Sequence, residues 1–202
     1  LGDVKWEDGK NTAQGVIKNV KENEQAIQPC SSMNAINKVL TDEIVKNTFI
    51  QNVVMPVHVL YPFLNSYKEG EFYWQHIDRP MRLLPKAGKY VRCDLSMTIF
   101  LNDGYEGGEL VIYDGDSNTA IKLNKGDAVI YPSGCLHEVK KITKGKRICA
   151  VTWIQSGIRC DKQREVIYDL LKLGNKLSKS DIETQNLVSK IRNNLTREWC
   201  EF

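Results

Sequence analysis

The chain has 202 residues, with 28 lysines and arginines against 25 aspartates and glutamates, so its net charge is +3. A hydrophobic fraction of 42% and a charged fraction of 26% are ordinary for a folded globular protein and exclude a mainly disordered chain. The apolar runs are too short for a membrane-spanning helix, and so small a net charge gives no indication of a nucleic-acid partner.

In chain order, the predicted elements divide the protein into three parts. Residues 1–52 read as an N-terminal helical support segment, with a helix from Ser31 to Val45 that places Ile36, Leu40 and Ile44 on one face. Residues 158–202 read as a C-terminal helical extension, because apolar residues recur there in steps of three and four.

Residues 53–157 are expected to form a β core. Short apolar runs alternate with glycine, proline, asparagine and aspartate, and Asp114-Gly115-Asp116 predicts a hairpin turn. Many short strands at this spacing indicate a sandwich or barrel. The predicted strands are 57–63, 90–101, 109–113, 120–123, 128–131 and 147–154.

Six cysteines are present and none lies in a C-x-x-C pair, which argues against a zinc ribbon or a thioredoxin-type motif. Cys93 and Cys149 stand inside apolar runs, where a free thiol behaves as a small hydrophobe. We therefore expect reduced thiols and an intracellular, cytoplasmic protein.

Two of the three histidines point to a metal centre. His76 and Asp78 are two residues apart, so on a strand both side chains face the same way, and His137 stands in a second short alternating run. Two histidines and one carboxylate form the facial triad of non-haem Fe(II) sites. The alternative to metal binding is that His76 is a polar loop residue and His137 an exposed strand residue. The third histidine, His58, is expected to have a structural role.

Arg147 opens an apolar strand ten residues after His137. A cation in such a place needs an anion, and the planar guanidinium suits a carboxylate such as the distal one of 2-oxoglutarate. A salt bridge to aspartate or glutamate is the alternative.

Residues 79–92 carry five basic side chains and no acidic one. Pro80, Pro85 and Gly88 predict a loop, which is either a solvated surface or a lid that favours an acidic or peptide substrate.

The order of several segments along nearly the whole chain resembles one enzyme family. The similarity is to the Fe(II)/2-oxoglutarate-dependent oxygenases, and within them to the PKHD-type hydroxylases related to prolyl 4-hydroxylases. The segments that carry it are Trp6–Ala13, Asn65–Gly70, Tyr73–Asp78, Arg92–Leu101, Tyr105–Leu110, Tyr131-Pro132, Leu136-His137, Trp153–Ser156 and Asn194–Trp199.

The resemblance implies a mainly β fold, a double-stranded β-helix (jelly roll) flanked by helices. It implies that His76, Asp78 and His137 bind Fe(II) and that Arg147 binds 2-oxoglutarate. Tyr67 matches a pocket tyrosine of the related prolyl hydroxylases. Ser96, Thr98 and Phe100 share a strand face, on which Thr98 is expected to hydrogen-bond the co-substrate.

The implied activity is hydroxylation with O2, releasing succinate and CO2, with ascorbate as an optional reductant. The implied substrate is a peptidyl residue such as proline or a small molecule, and the C-terminal helices are expected to support the core or to form a homodimer contact. Two other readings of the same residues are a zinc-dependent hydrolase and a jelly-roll binding module without turnover.

Overall fold

The computed structural model describes residues 4–12, 20–28, 31–84, 88–178 and 181–201. The described helices are α1 (Ser31–Lys46), α2 (Thr48–Val53), α3 (Asp161–Lys176) and α4 (Ile182–Trp199). The described strands are β1 (Trp6–Asp8), β2 (Lys21–Glu22), β3 (Glu24–Ala26), β4 (Pro56–Val59), β5 (Phe63–Lys68), β6 (Phe72–His76), β7 (Met81–Leu84), β8 (Lys89–Arg92), β9 (Leu95–Phe100), β10 (Glu106–Gly107), β11 (Leu110–Asp114), β12 (Ser117–Ile121), β13 (Ala128–Pro132), β14 (Leu136–Val139), β15 (Ile142–Lys144) and β16 (Lys146–Ser156).

Two antiparallel sheets form the body of the fold, which confirms the predicted jelly roll with flanking helices. The described strands of the major sheet run in the order β1-β3-β5-β16-β9-β13, with β4 also paired to β16. Those of the minor sheet run β12-β11-β14-β6-β2. The N-terminal segment therefore contributes strands to both sheets in addition to its helix.

Strand β9 shows how alternation separates the core from the cavity. Leu95, Met97 and Ile99 face away from the cavity and are buried in one cluster with Met33 of α1 and Ile50 of α2. Burying side chains of this kind stabilises the fold by roughly 1.5–3 kcal/mol each. The intervening Ser96, Thr98 and Phe100 share the opposite face, as the sequence predicts, and are turned toward the minor sheet.

Most predicted strands are present with shifted ends. The predicted strand 57–63 is divided between β4 and β5, and 90–101 is divided between β8 and β9 at Cys93-Asp94. The hairpin at Asp114-Gly115-Asp116 is confirmed: Asp114 pairs with Ser117, and Gly115 has a φ of 58° in the turn.

The prediction of a loop over residues 79–92 is wrong. Strands β7 and β8 pair in an antiparallel hairpin from Met81↔Arg92 to Leu84↔Lys89. Pro80 and Gly88 lie at the ends of these strands, since proline and glycine interrupt pairing without preventing it nearby. Pro85 and Lys86 lie outside the described residues.

The C-terminal part folds as the predicted helices, α3 and α4, which pack against each other. The chain then returns to the β core, where the amide of Glu201 donates to the carbonyl of Gly157 at 2.7 Å. None of the described helices is both long enough and apolar enough to span a membrane.

Candidate metal centre and its cavity

The metal site predicted from the sequence is assembled where β6 and β14 pair. His76 ends β6 and lies directly opposite His137 of β14 in the register, and Asp78 follows β6 by two residues. One ligand atom from each of these three side chains lies within 4.8 Å of the others. The Nε2 atom of His137 is 3.7 Å from Oδ2 of Asp78. Two imidazoles and one carboxylate in this arrangement can hold a divalent transition metal.

Main-chain carbonyls orient both imidazole rings. Nδ1 of His76 lies 2.8 Å from the carbonyl oxygen of Trp74, and Nδ1 of His137 lies 3.0 Å from that of Cys135. A proton on each Nδ1 leaves the lone pair of Nε2 free for a metal. Burial and the neighbouring His137 lower the pKa of His76 to about 4, which keeps this ring neutral.

Ser96 positions the carboxylate of Asp78, a role that sequence reasoning missed. Its hydroxyl donates to Oδ2 of Asp78 at 2.7 Å and lies 2.8 Å from the hydroxyl of Ser133. The sequence signal available was its position on the same face as Thr98. The contact itself joins residues 18 positions apart and becomes visible only in the folded chain.

The triad opens into a cavity of about 130 Å³ between the two sheets. Tyr67, Thr98 and Arg147 line it from the major sheet, so the structure brings every residue of the predicted site to one place. A cavity of about 150 Å³ is large enough to hold a benzene molecule, so this volume is in the range of small organic ligands. The cavity is thus suited to a small organic ligand next to the triad.

Arg147 presents an unpaired edge in this cavity. Its side chain is 1% exposed, Nη1 donates to the thiol of Cys149 at 2.9 Å, and neither Nε nor Nη2 has a hydrogen-bond partner among the described residues. No carboxylate in the described part of the chain forms an ion pair with it, so the alternative of a salt bridge is not what the structure shows. Two parallel N–H donors on a buried guanidinium match one carboxylate.

Aromatic rings surround this guanidinium. Its Cζ lies 5.5 Å from the ring centre of Tyr67 and 5.2 Å from that of Phe100. The hydroxyl of Tyr105 is buried beside Arg147 without a well-aligned hydrogen-bond partner, and sequence reasoning missed it. Tyr131 also lines the cavity, and burial raises its pKa well above its usual value.

Two other expectations concern residues beside the site. His58 lies on β4 outside the cavity lining, with Nε2 3.1 Å from Nζ of Lys89. Gly107 and Gly108 have φ angles of 72° and 69° at a register shift before β11, which confirms the predicted turn or bulge. A Cβ on Gly108 would stand 3.1 Å from Cδ of Arg147, so this turn allows the arginine its position.

Comparison with known proteins defines the class. The family model described as the 2OG-Fe(II) oxygenase superfamily matches residues 62–155, which include the triad and Arg147. A solved prolyl hydroxylase of Trichoplax adhaerens has the same fold with a TM-score of 0.52 and 17% identity, over 82% of this chain and 74% of that one. The protein is thus an Fe(II)- and 2-oxoglutarate-dependent dioxygenase.

Full-length relatives identify the family within this class. A PKHD-type hydroxylase of Alteromonas mediterranea is 37% identical over 84% of this chain and 76% of its own length. One of Acinetobacter baumannii is 35% identical over 100% of this chain and 91% of its own. The chain belongs to the PKHD-type hydroxylases. This membership favours the oxygenase over the zinc hydrolase and the binding module that the residues alone left open.

Proposed function

We propose that this enzyme hydroxylates a peptidyl residue such as proline, with Fe(II) bound by His76, Asp78 and His137 and with 2-oxoglutarate bound by Arg147. The observation that carries the proposal is the Nε–Nη2 edge of a fully buried arginine, which has no hydrogen-bond partner among the described residues and lies in the cavity that the triad adjoins. An unpaired buried charge is costly, so it is retained where a ligand supplies the counter-ion.

The donor set fits the iron. Two neutral imidazole nitrogens and one carboxylate oxygen are ligands that Fe(II) accepts, and they leave coordination positions for a co-substrate and O2. The carbonyls of Trp74 and Cys135 and the hydroxyl of Ser96 orient these three ligands.

The surroundings of Arg147 fit 2-oxoglutarate. We assign the distal carboxylate to Nε and Nη2 of Arg147, and we assign Thr98 as a hydroxyl donor from the neighbouring strand. Tyr67 is given the role of a wall that covers the guanidinium, because Cζ of Arg147 lies 5.5 Å from the centre of its ring. Tyr105 is a further candidate donor to this carboxylate.

When bound, iron and 2-oxoglutarate supply O2 activation and hydrogen abstraction and release succinate and CO2, with ascorbate as an optional reductant. The chain's own residues hold the two groups in register and exclude water, for which a cavity closed by two sheets is suited. No side chain needs to act as a general acid or base in this scheme.

The peptidyl substrate is supported by kinship. The relatives are named hydroxylases, and the Trichoplax adhaerens enzyme was solved in complex with a peptide fragment of hypoxia inducible factor.

We also propose how the chain is organised around the site. Residues 53–157 are the catalytic core, and residues 1–52 and 158–202 support it. The exposed apolar residues Leu187 and Ile191 of α4 make a homodimer contact the other role for the extension. The free thiols of Cys93 and Cys149 favour a reducing, cytoplasmic setting.

An anaerobic titration tests the site. Metal-free protein receives Fe(II) and then 2-oxoglutarate, and visible absorbance is recorded, because a keto acid chelated to Fe(II) gives a charge-transfer band that zinc cannot give. We expect the band in the wild type and a loss of 2-oxoglutarate affinity of about tenfold to a hundredfold in Arg147→Gln.

Two variants complete this test. Arg147→Lys keeps the charge without the two-pronged donor and is expected to bind more weakly than the wild type. Arg92→Gln, which removes an arginine of the β8 strand outside the cavity lining, should keep the band. Iron binding without a band in the wild type would contradict the assignment of the co-substrate.

A further inference from the structure

Three cations line the cavity in addition to Arg147. Lys21 comes from β2, Arg79 directly follows the ligand Asp78, and Arg82 lies on β7 of the hairpin. Asp78 is the single carboxylate among the described residues of this lining. The cavity therefore has a strong excess of positive charge.

The described residues do not neutralise these cations. None of the three forms an ion pair within 4.0 Å in the described ranges, and Nε of Arg82 is buried without a hydrogen-bond partner. Burial and the nearby Arg82 lower the pKa of Lys21 to about 8, an effect that Asp8 and Asp78 only partly offset. Burial likewise lowers the pKa of Arg82, an effect that Asp78 partly offsets and to which Arg79 adds.

The side chain of Arg82 is held in place by two aromatic rings. The guanidinium carbon lies 3.4 Å from the ring centre of Trp153 and 5.8 Å from that of Phe63. Stacking on an aromatic face fixes the plane of the guanidinium and leaves its edge free for an acceptor. Ordering a long side chain in advance reduces the entropy lost when a ligand binds.

Iron and 2-oxoglutarate do not remove the excess. The dianionic co-substrate and Asp78 together offset the divalent ion and Arg147. The charges on buried Lys21 and half-buried Arg82 then remain for a further ligand, and the exposed Arg79 adds a third. That ligand is the substrate, because these side chains line the same cavity as the metal triad.

We propose that the substrate carries an anionic group, most simply a carboxylate, close to the carbon that is hydroxylated, and that Arg82 binds it with the help of Arg79 and Lys21. This inference rests on the iron and 2-oxoglutarate sites of the proposed function, and not on the peptidyl nature of the substrate. A planar guanidinium edge selects a carboxylate by geometry as well as charge. The basic hairpin is then a determinant of substrate specificity.

The carboxylate has two chemical sources, so the experiment has two arms. In the first, proline peptides with randomised outer positions are supplied as three pools, with Asp/Glu, Asn/Gln or Lys/Arg next to proline. In the second, free L-amino acids are compared with their carboxamides. Succinate release that depends on the added compound is measured in each arm, after the Fe(II)·2-oxoglutarate band has been verified in every protein used.

We expect the charged member of a pair to raise succinate release about tenfold or more over its amide in one arm, with no stimulation by the Lys/Arg pool. Arg82→Gln should remove this preference, and Arg82→Lys should restore part of it. Lys89→Gln is the matched control, because this lysine lies on the same hairpin outside the cavity lining and contacts His58.

Three results would overturn the inference: equal stimulation by acid and amide, a preference for the basic pool, or no stimulation in either arm while the band forms. Loss of the band in the wild type is a different result, since it contradicts the proposed function itself. A preference in the peptide arm identifies an acidic side chain as the source, and a preference in the amino-acid arm identifies a free α-carboxylate.

Discussion

At the scale of single residues, the metal centre depends on side chains that never touch the metal. Ser96 donates to the carboxylate of Asp78 and at the same time lies against Ser133. A hydroxyl in this place fixes the ligand oxygen before a metal arrives, which lowers the cost of binding.

We predict that Ser96→Ala weakens Fe(II) binding by about tenfold to a hundredfold, because Asp78 loses the donor that orients it. The measurement is an anaerobic titration of metal-free protein, with Co(II) as a second probe. Ser133→Ala is the matched control: it removes the neighbouring hydroxyl but keeps the bond from Ser96 to Asp78, so it should have a clearly smaller effect. Equal losses in the two variants would contradict the positioning role.

The buried Lys21 destabilises the folded protein. Its pKa is about 8 in the folded chain and 10.5 when unperturbed, so the unfolded state binds the proton more tightly. The buried, protonated Lys21 therefore lowers the free energy of unfolding. This penalty is complete below about pH 8 and fades as the pH rises to 10.5.

We predict that Lys21→Met stabilises the protein at pH 7, by an amount on the order of 3 kcal/mol, and that the gain shrinks toward pH 10.5. Urea unfolding of both proteins at pH 7 and pH 10 measures the difference, in which all other titrations cancel. Lys89→Met, at an exposed position of the hairpin, should change stability little at either pH. A gain that does not depend on pH would show that Lys21 burial is not the cause.

At the scale of elements, the alternation of side chains along strands predicts which residues of the site share a face. The shared face of Ser96, Thr98 and Phe100 follows from a period of two, and the spacing of His76 and Asp78 suggested their partnership. The sequence could not show that Arg82 would stack on Trp153, since that contact depends on how a hairpin folds over another sheet. It could not identify Tyr105 as a neighbour of Arg147 for the same reason.

The sequence does not predict the hairpin β7–β8, because prolines and a glycine in this segment are typical of a loop. Pro80 and Gly88 mark the ends of strands whose alternation places Arg82 inward and Met81 and Leu83 outward. Only four residues long, each strand is too short for its period to stand out in the sequence.

The turn at Gly107-Gly108, before β11, can be tested by substitution. Gly108→Ala places a Cβ 2.3 Å from Cδ1 of Ile142 and 3.1 Å from Cδ of Arg147, at a φ of 69°. We expect a loss of 2-oxoglutarate affinity of about tenfold, with Fe(II) binding retained, because the displaced groups are Ile142 and Arg147 and not the triad. The charge-transfer titration measures both.

Gly104→Ala provides the control for backbone strain. Gly104 also has a positive φ, of 80°, but a Cβ there meets no atom within 4 Å. Its variant should lose stability through strain alone, about 1 kcal/mol, and keep its 2-oxoglutarate affinity. If both variants bind 2-oxoglutarate equally well, the turn does not position Arg147.

At the scale of the whole molecule, the two terminal segments are connected to the core by different means. Strands β1 and β3 extend the major sheet and β2 extends the minor one. The C-terminal extension is attached by the packing of α4 on α3 and by the bond from Glu201 to Gly157, with Arg92 Nη1 3.5 Å from Oε2 of Glu201.

We predict that ending the chain at residue 178 lowers the thermal midpoint by about 5 °C or more, because α3 loses the side chain of Val188 and the core loses the bond to Glu201. Thermal unfolding measures this, and light scattering of both proteins measures the molecular mass. Glu201→Gln, which removes only the ion pair, should change the midpoint little. An unchanged midpoint and mass would show that the extension neither supports the core nor joins two copies.

Strand β16 has a consequence for how this enzyme can evolve. Its odd-numbered residues Arg147, Cys149, Val151 and Trp153 line the cavity, whereas Ala150 and Ile154 are buried in the cluster beneath the helices. Within this one strand, the odd-numbered positions therefore determine the chemistry of the cavity and the even-numbered positions stabilise the fold. A lineage can exchange the chemistry at the odd positions while retaining the even ones, so new substrates are accessible to descendants without a new scaffold.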